Sequence, residues 1–310
     1  MLDRRLLFVT GKGGVGKTTI AAALAVLGAQ RGKRVLVCEV DAKGNLADVL
    51  ETGPTSFEER EVQPGVFAMS MDTEASLREY LRLQVRIPLL ARIGPLARTF
   101  DFLANAAPGI KEIVTVGKFV WEVKERHYDL VVVDAPATGH IVGHLNAPQA
   151  INDLVKVGLI REQTGWMLEI LRDPAATGVV IVAAPEEMPV VESLELIERL
   201  VETEVDVAGV VVNRVLPELF GRAEEEVFEK LRAAEEAGDL DGALGAGIGP
   251  VLEAARLAVT LRRTRAGHLA HLREGVPPGM NIVYVPELFN RTHGLRATRQ
   301  VADALAAELL

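Results

Sequence analysis

Short aliphatic runs recur along the chain: LLFVT (6–10), RVLVCEV (34–40), GVFAM (65–69), LVVVDA (130–135), GVVIVAA (178–184), AGVVVN (208–213) and NIVYV (281–285). Runs that are apolar throughout, instead of alternating with polar residues, predict strands covered on both faces. Helical patterns long enough for crossovers lie between many of them. The fold read from this rhythm is α/β, a doubly wound, mainly parallel sheet of about seven to eight strands. No internal repeat, low-complexity tract or flexible linker interrupts it, so 1–310 reads as a single domain with helical insertions.

Three stretches depart from the strand-and-crossover rhythm. Residues 74–126 are helix-rich and broken at Pro88, Pro95 and Pro108-Gly109. Residues 141–172 carry apolar positions at helical spacing. Residues 219–273 read as a charged helical hairpin with a glycine-rich break near 242–249.

Composition narrows the class. A chain of 310 residues that is 49% hydrophobic and 25% charged can bury a large core. With 43 acidic against 34 basic side chains the formal charge is −9, which disfavours nucleic-acid binding driven by phosphate neutralisation. Cys38 is the only cysteine, so an intrachain disulfide and an all-cysteine metal site are both ruled out; within RVLVCEV it reads as a buried strand residue. The start MLDRR lacks the apolar region of a secretory signal. The longest apolar run, 20–29, is about half the roughly 20 residues that cross a bilayer. We expect a cytoplasmic protein with no integral membrane segment.

The strongest chemical signal is FVTGKGGVGKTT (8–19). Gly11 to Thr18 fits G-x-x-x-x-G-K-[ST] between a predicted strand and a helix-forming run, the context a phosphate-binding loop requires. Glycines let successive backbone N–H groups of Gly13, Gly14, Val15 and Gly16 turn inward beside a positive helix N-terminus. Lys17 would bridge the β- and γ-phosphates, Thr18 would place its hydroxyl on Mg²⁺, and Thr19 follows at the head of the helix.

The second lysine, Lys12, is unaccounted for by that motif. K-G-G-x-G-K-[ST] resembles the deviant phosphate loop of dimeric ATPases related to the division-site, chromosome-partitioning, nitrogenase-iron-protein and arsenite-pump ATPases. The resemblance implies that Lys12 reaches across a two-fold interface to the partner's nucleotide and stabilises charge during phosphoryl transfer, as an arginine finger does. Its partner would be an identical subunit or a paralogue. A solvated loop lysine is the plainer reading.

Phosphoryl transfer also needs carboxylates near the loop. EVDAKGNLADVL (39–50) resembles the switch I segment of the arsenite-pump branch, which makes Asp41 the residue that orients the attacking water; a helix cap by Asp41 or Asn45 is the alternative. YDLVVVDAPATGHIVGHL (128–145) resembles that branch's switch II, with the interior changed to Ala135, Pro136 and Ala137. The resemblance makes Asp134 a carboxylate that holds Mg²⁺ through water, and implies that the N–H of Gly139 approaches the γ-phosphate and that His140 belongs to the moving switch. His140 and His144 also stand at i, i+4, a spacing that can ligate metal, but no third ligand stands beside them in the sequence.

For the base, VVVNRVLPE (210–218) resembles the branch's adenine-loop segment, and Asn213 could present its amide to the N6/N7 edge. A guanine loop would want Asp where Leu216 stands, so ATP is favoured. VPELFNRTHGL (285–295) resembles the last loop over the base, with Pro286 and Glu287 as contacts. MSMDTEASLREYL (69–81) and APEEMPVVESLELIERL (184–200) extend the likeness to the arsenite-pump and tail-anchored-protein-targeting branch. Two departures bound it: one cysteine cannot form a thiolate arsenite site, and the C-x-x-C zinc clamp of the targeting factors is absent. Neither zinc nor an arsenite site is expected.

The reading is a dimeric ATP-hydrolysing switch coupled to a protein client. Residues 77–120 carry Leu81, Leu83, Val85, Leu89, Phe100 and Phe102 around more than one helix face. They either pack the insertion onto the sheet or form a groove for a hydrophobic client. The rivals are a positioning ATPase, a P-loop metabolite transferase and a binding module with an idle ATPase. A membrane-positioning version wants a basic amphipathic tail, whereas QVADALAAELL (300–310) carries only acidic charges.

Overall fold

In a computed structural model of the chain, residues 1–41, 44–84, 109–155, 157–217, 222–236, 248–289 and 293–309 are described. The elements run β1 Leu6–Gly11, α1 Lys17–Gln30, β2 Val35–Glu39, α2 Asn45–Val49, β3 Arg60–Gln63, β4 Val66–Ser70, α3 Thr73–Gln84 and α4 Ile110–Lys124. They continue β5 Leu130–Asp134, α5 Thr138–Leu154, α6 Leu159–Arg172, β6 Thr177–Ala183, α7 Glu187–Val201, β7 Val207–Val215, α8 Arg222–Glu236, α9 Ile248–Gly275, β8 Ile282–Pro286 and α10 Leu295–Glu308.

Eight strands form one sheet in the order β3-β4-β2-β5-β1-β6-β7-β8. Every neighbouring pair is parallel except β3 with β4. The mainly parallel α/β sheet expected from the apolar runs is therefore present. β1 and β2 each feed two cores: Leu6, Phe8, Leu36 and Cys38 face one layer, while Leu7, Val9, Val35 and Val37 face the other. Side chains alternate across a strand, so a run apolar at every position is what two covered faces demand.

The seven expected strands are joined by β3, an edge strand reading REVQ whose residues are exposed or half-buried. It carries no apolar signal because its side chains stay largely outside both cores, and a polar edge discourages strand addition by other chains. α1, KTTIAAALAVLGAQ, is buried continuously from Ile20 to Gly28. It lies between the sheet and α10, and small alanines let it pack closely on both.

The opposite face carries α4, α5, α6, α7 and α9, whose Phe119, Ile141, Met167, Leu196 and Leu272 join one core. The expected insertion 74–126 supplies α3 and α4, with its proline-broken middle, 85–108, outside the described residues. The apolar residues 85–103 picked out in the sequence lie there too. The expected helical stretch 141–172 is two helices, and it begins earlier, at Thr138. The hairpin 219–273 supplies α8 and α9; 218–221 and 237–247, which include most of the glycine-rich break at 242–249, lie outside the described residues. No helix among the described residues is long and apolar enough to cross a membrane.

Candidate functional site

β1 lies mid-sheet between β5 and β6, and its C-terminal end opens into the crevice where such sheets take ligands. The backbone there requires glycine at two points. A Cβ on Gly11 would stand 2.1 Å from the carbonyl oxygen of Val182 on β6. Gly16 has φ +95°, and a Cβ on it would meet Nδ2 of Asn213 at 2.4 Å. Gly16 leads directly into α1, so the loop ends at a positive helix terminus. Lys17 folds back over the loop, its Nζ donating to the carbonyl of Lys12 at 3.2 Å.

A cavity of about 440 Å³ opens above the loop, lined by Gly13, Gly14, Gly16, Lys17, Thr18 and Thr19 and, from the acidic side, by Glu39, Asp41, Asp48 and Asp134. Residues far apart in the chain, including both predicted carboxylates, thus share one chamber. Asp134 ends β5, directly opposite Val9 and Glu39 in the sheet register. The Thr18 hydroxyl donates to its Oδ2 at 2.6 Å. Burial raises the Asp134 carboxyl from 3.8 to about 6; the Thr18 hydrogen bond and Lys17 pull it down, while Glu39 and Asp41 add to the rise. Thr18 and Asp134 together offer hard oxygen donors, the chemistry that suits Mg²⁺.

Asp41 lies just past the end of β2 and is exposed toward the cavity. Glu39, which the sequence reading passed over, organises this side. Its buried carboxylate accepts N–H bonds from Gly44 and Asn45, each at 3.1 Å, and so caps α2. The signal was available: Glu39 is a charge at the end of an otherwise apolar strand.

The segment after β5, read from the sequence as switch II, is anchored by Thr10, also missed in the sequence, whose hydroxyl donates to the Pro136 carbonyl at 2.7 Å. Thr138 then opens α5. A Cβ on Gly139 would meet nothing within 4 Å beyond its own helix, and His140 is exposed. His144 turns its Nδ1 to the His140 carbonyl at 3.1 Å. Lys12 lies outside that chamber, in a separate cavity beside the loop, its ammonium ion-paired with Glu192 on α7. The other Glu192 oxygen accepts from the Thr138 hydroxyl at 3.0 Å, and the Lys12 bond holds the Glu192 carboxyl below its ordinary range.

Asn213, Pro286 and Glu287 come together where β7 and β8 end side by side, with Val215 opposite Pro286 and the Glu287 N–H donating to the Val215 carbonyl at 2.9 Å. The contact that Asn213 makes here is one within its own chain. The residue is buried, and its Nδ2 donates to the Val15 carbonyl at 2.8 Å, bracing the loop from behind.

A second cavity, of about 340 Å³, lies within the helical layer among α3, α4, α5 and α6, lined by Leu77, Tyr80, Ile113, Trp121, Ile151 and Met167 among others. Trp121 and Trp166 meet edge to face beside it at 6.3 Å. Lys118 stands at its edge, bonded to Glu59 at 3.1 Å, Glu79 at 3.0 Å and Glu122 at 2.8 Å.

The family profile for anion-transporting ATPases matches residues 4–168 and 160–237 of the chain. ATPase BagA of Mycobacterium tuberculosis is 34% identical over 259 residues, covering 79% of this chain and 74% of that protein. ATPase get3 of Schizosaccharomyces japonicus is 30% identical over 246 residues, covering 68% of this chain and 74% of that protein. A putative arsenical pump-driving ATPase of Halobacterium salinarum is 30% identical over 257 residues, which are 75% of this chain and 38% of that protein. A profile across most of the chain, and relatives of this identity and coverage, make the chain an ATPase and a member of the anion-transporting ATPase family.

Proposed function

We propose that the protein is an ATP-hydrolysing switch that works as a dimer and couples its nucleotide state to a hydrophobic protein client. The observation that carries this reading is the shared chamber, where Lys17, Thr18, Asp41 and Asp134 line one cavity, while Lys12 lines a separate cavity that shares Gly13 and Gly14 with it. Backbone N–H groups from Gly13 to Gly16 and the Lys17 ammonium bind the phosphates. Thr18 and Asp134 would hold Mg²⁺, which supplies neutralisation of the phosphate charge. Asp41 orients a water for in-line attack on the γ-phosphorus. The bond from that phosphorus to the β,γ-bridging oxygen breaks, and ADP and inorganic phosphate leave. Lys12 of a second subunit, identical or paralogous, stabilises the charge that builds on the leaving oxygen. Asn213, Pro286 and Glu287 hold the adenine side.

Gly139 and His140 lie in the segment that answers the γ-phosphate, at the head of α5, and α5 also walls the apolar cavity of the helical layer. A shift of α5 therefore alters that cavity, which is the route we assign from nucleotide to client. The protein acts in the cytoplasm on this reading. Its mass is to be measured with ADP, and with ADP plus a transition-state mimic, alongside ATP turnover. We expect the mimic to double the mass, and Lys12→Ala and Asp41→Asn each to lower turnover about a hundredfold, the scale of one lost transition-state contact. A monomer that hydrolyses ATP normally after Lys12→Ala would refute the dimeric mechanism.

A further inference from the structure

Glu192 joins three parts of the site that the sequence keeps apart. It lies on the second turn of α7, a helix pinned to the core by Val190, Leu196 and Ile197, so its backbone is fixed by packing. One carboxylate oxygen pairs with the Lys12 ammonium of the phosphate loop, and the other accepts from the Thr138 hydroxyl that opens the switch II helix. Glu186 and Glu187 line the same rim of the loop, yet Glu192 is the carboxylate in contact with Lys12. The bridge is accessible: the Lys12 and Glu192 side chains are 32% and 26% exposed, and Met188 and Val191 on the neighbouring turn face solvent.

We propose that Glu192 is the positioning residue of Lys12: its carboxylate holds the lysine within its own chain and ties it to switch II, so Lys12 reaches a second subunit only when this bridge opens. The inference rests on the role across the interface proposed for Lys12. Charge explains the direction. Held against Glu192 on a helix packed into its own chain, the Lys12 ammonium is kept from swinging out toward a phosphate across the interface, and the adjacent carboxylate offsets the positive charge it would bring there. Opening the bridge leaves Glu192 with Thr138 and solvent, which a partly exposed carboxylate tolerates. The pair therefore sets a modest threshold, and because Thr138 shares the carboxylate, movement of switch II weakens the hold on Lys12. Loop and switch then respond together.

Two readouts test this on the full chain. In the isolated protein, the rate at which an amine-reactive reagent modifies Lys12, read by mass spectrometry, should rise about two- to fivefold in Glu192→Gln, the range for loss of a partly exposed ion pair. Thr138→Val, which removes one anchor of the carboxylate and leaves the ion pair, should give a smaller rise in the same direction. With ADP and a transition-state mimic, the protein concentration for half-dimerisation should fall by a similar factor in Glu192→Gln. Equal Lys12 labelling in wild type and Glu192→Gln would overturn the inference, as would faster labelling with an unchanged dimerisation midpoint. Full turnover and dimerisation in Lys12→Ala would instead remove the role of Lys12 across the interface, and that outcome is separate because the labelling comparison does not require a dimer.

Discussion

Two buried charges, Lys118 in the helical layer and Asp134 at the phosphate edge, are treated oppositely by the fold. Lys118 is surrounded by Glu59, Glu79 and Glu122. Burial alone would lower its pKa, but the Glu122, Glu79 and Glu59 interactions outweigh it and hold the ammonium above its ordinary range. Asp134 has burial as its dominant influence, and Glu39 and Asp41 beside it, so its carboxyl is pushed toward the neutral form. A charge that serves the fold is matched with counter-charge from its own chain. Asp134 is left mismatched, a state that a divalent cation bound beside it would relieve.

Deleting each charge should therefore change stability with opposite sign. Lys118→Met leaves three carboxylates facing one another and should cost about 3–4 kcal/mol in denaturant titrations. Asp134→Asn should stabilise the protein in magnesium- and nucleotide-free buffer at pH 7 by roughly 2–3 kcal/mol, from a shift of about two units, while lowering ATP turnover about a hundredfold. The pH dependence sharpens the contrast. With its folded pKa raised from 3.8 to about 6, Asp134 keeps its proton in the folded state over a range where the unfolded chain has lost it. Its contribution therefore makes stability fall as pH rises from about 4 to about 6 and level off above. That component should vanish in Asp134→Asn; an unchanged pH profile would contradict the mismatch.

Smaller changes probe how tightly each region is specified. Gly16→Ala places a Cβ at φ +95° and against Asn213. The backbone cost alone is about 1–2 kcal/mol, and ADP affinity by calorimetry should fall at least about tenfold because the amides of the loop are displaced. Ile113→Val, which removes one methylene from the wall of the apolar cavity, should cost about 1 kcal/mol by thermal melting. It should alter turnover less than about twofold, since helical packing tolerates near-isosteric exchange. A large effect on turnover would mean that the helical layer is as strictly specified as the loop.

The same contrast explains what could be read in advance. The apolar runs named seven strands because a strand covered on both faces must be apolar throughout, and β3 escaped because its residues are exposed or half-buried. The phosphate loop was legible because its chemistry depends on adjacent residues: the left-handed turn at Gly16, the lysine after it and the hydroxyl of Thr18. The helical layer was legible only as helices, since many apolar combinations fill the same space.

What the sequence by itself determined is local, namely the loop, the placement of Asp134 at the end of β5 and of Asp41 just past β2, and the alternation of strands with crossovers. Only the tertiary structure decided that Glu39 caps the helix after Asp41, that Asn213 braces Val15 from 198 residues away, and that Lys12 is held by Glu192 across a separation of 180 residues. A backbone torsion is governed by neighbours along the chain, so its requirements are written beside it. A charge pair through space depends on how the helices and strands that carry it are packed, and that is settled when the whole sheet and its covering layers come together.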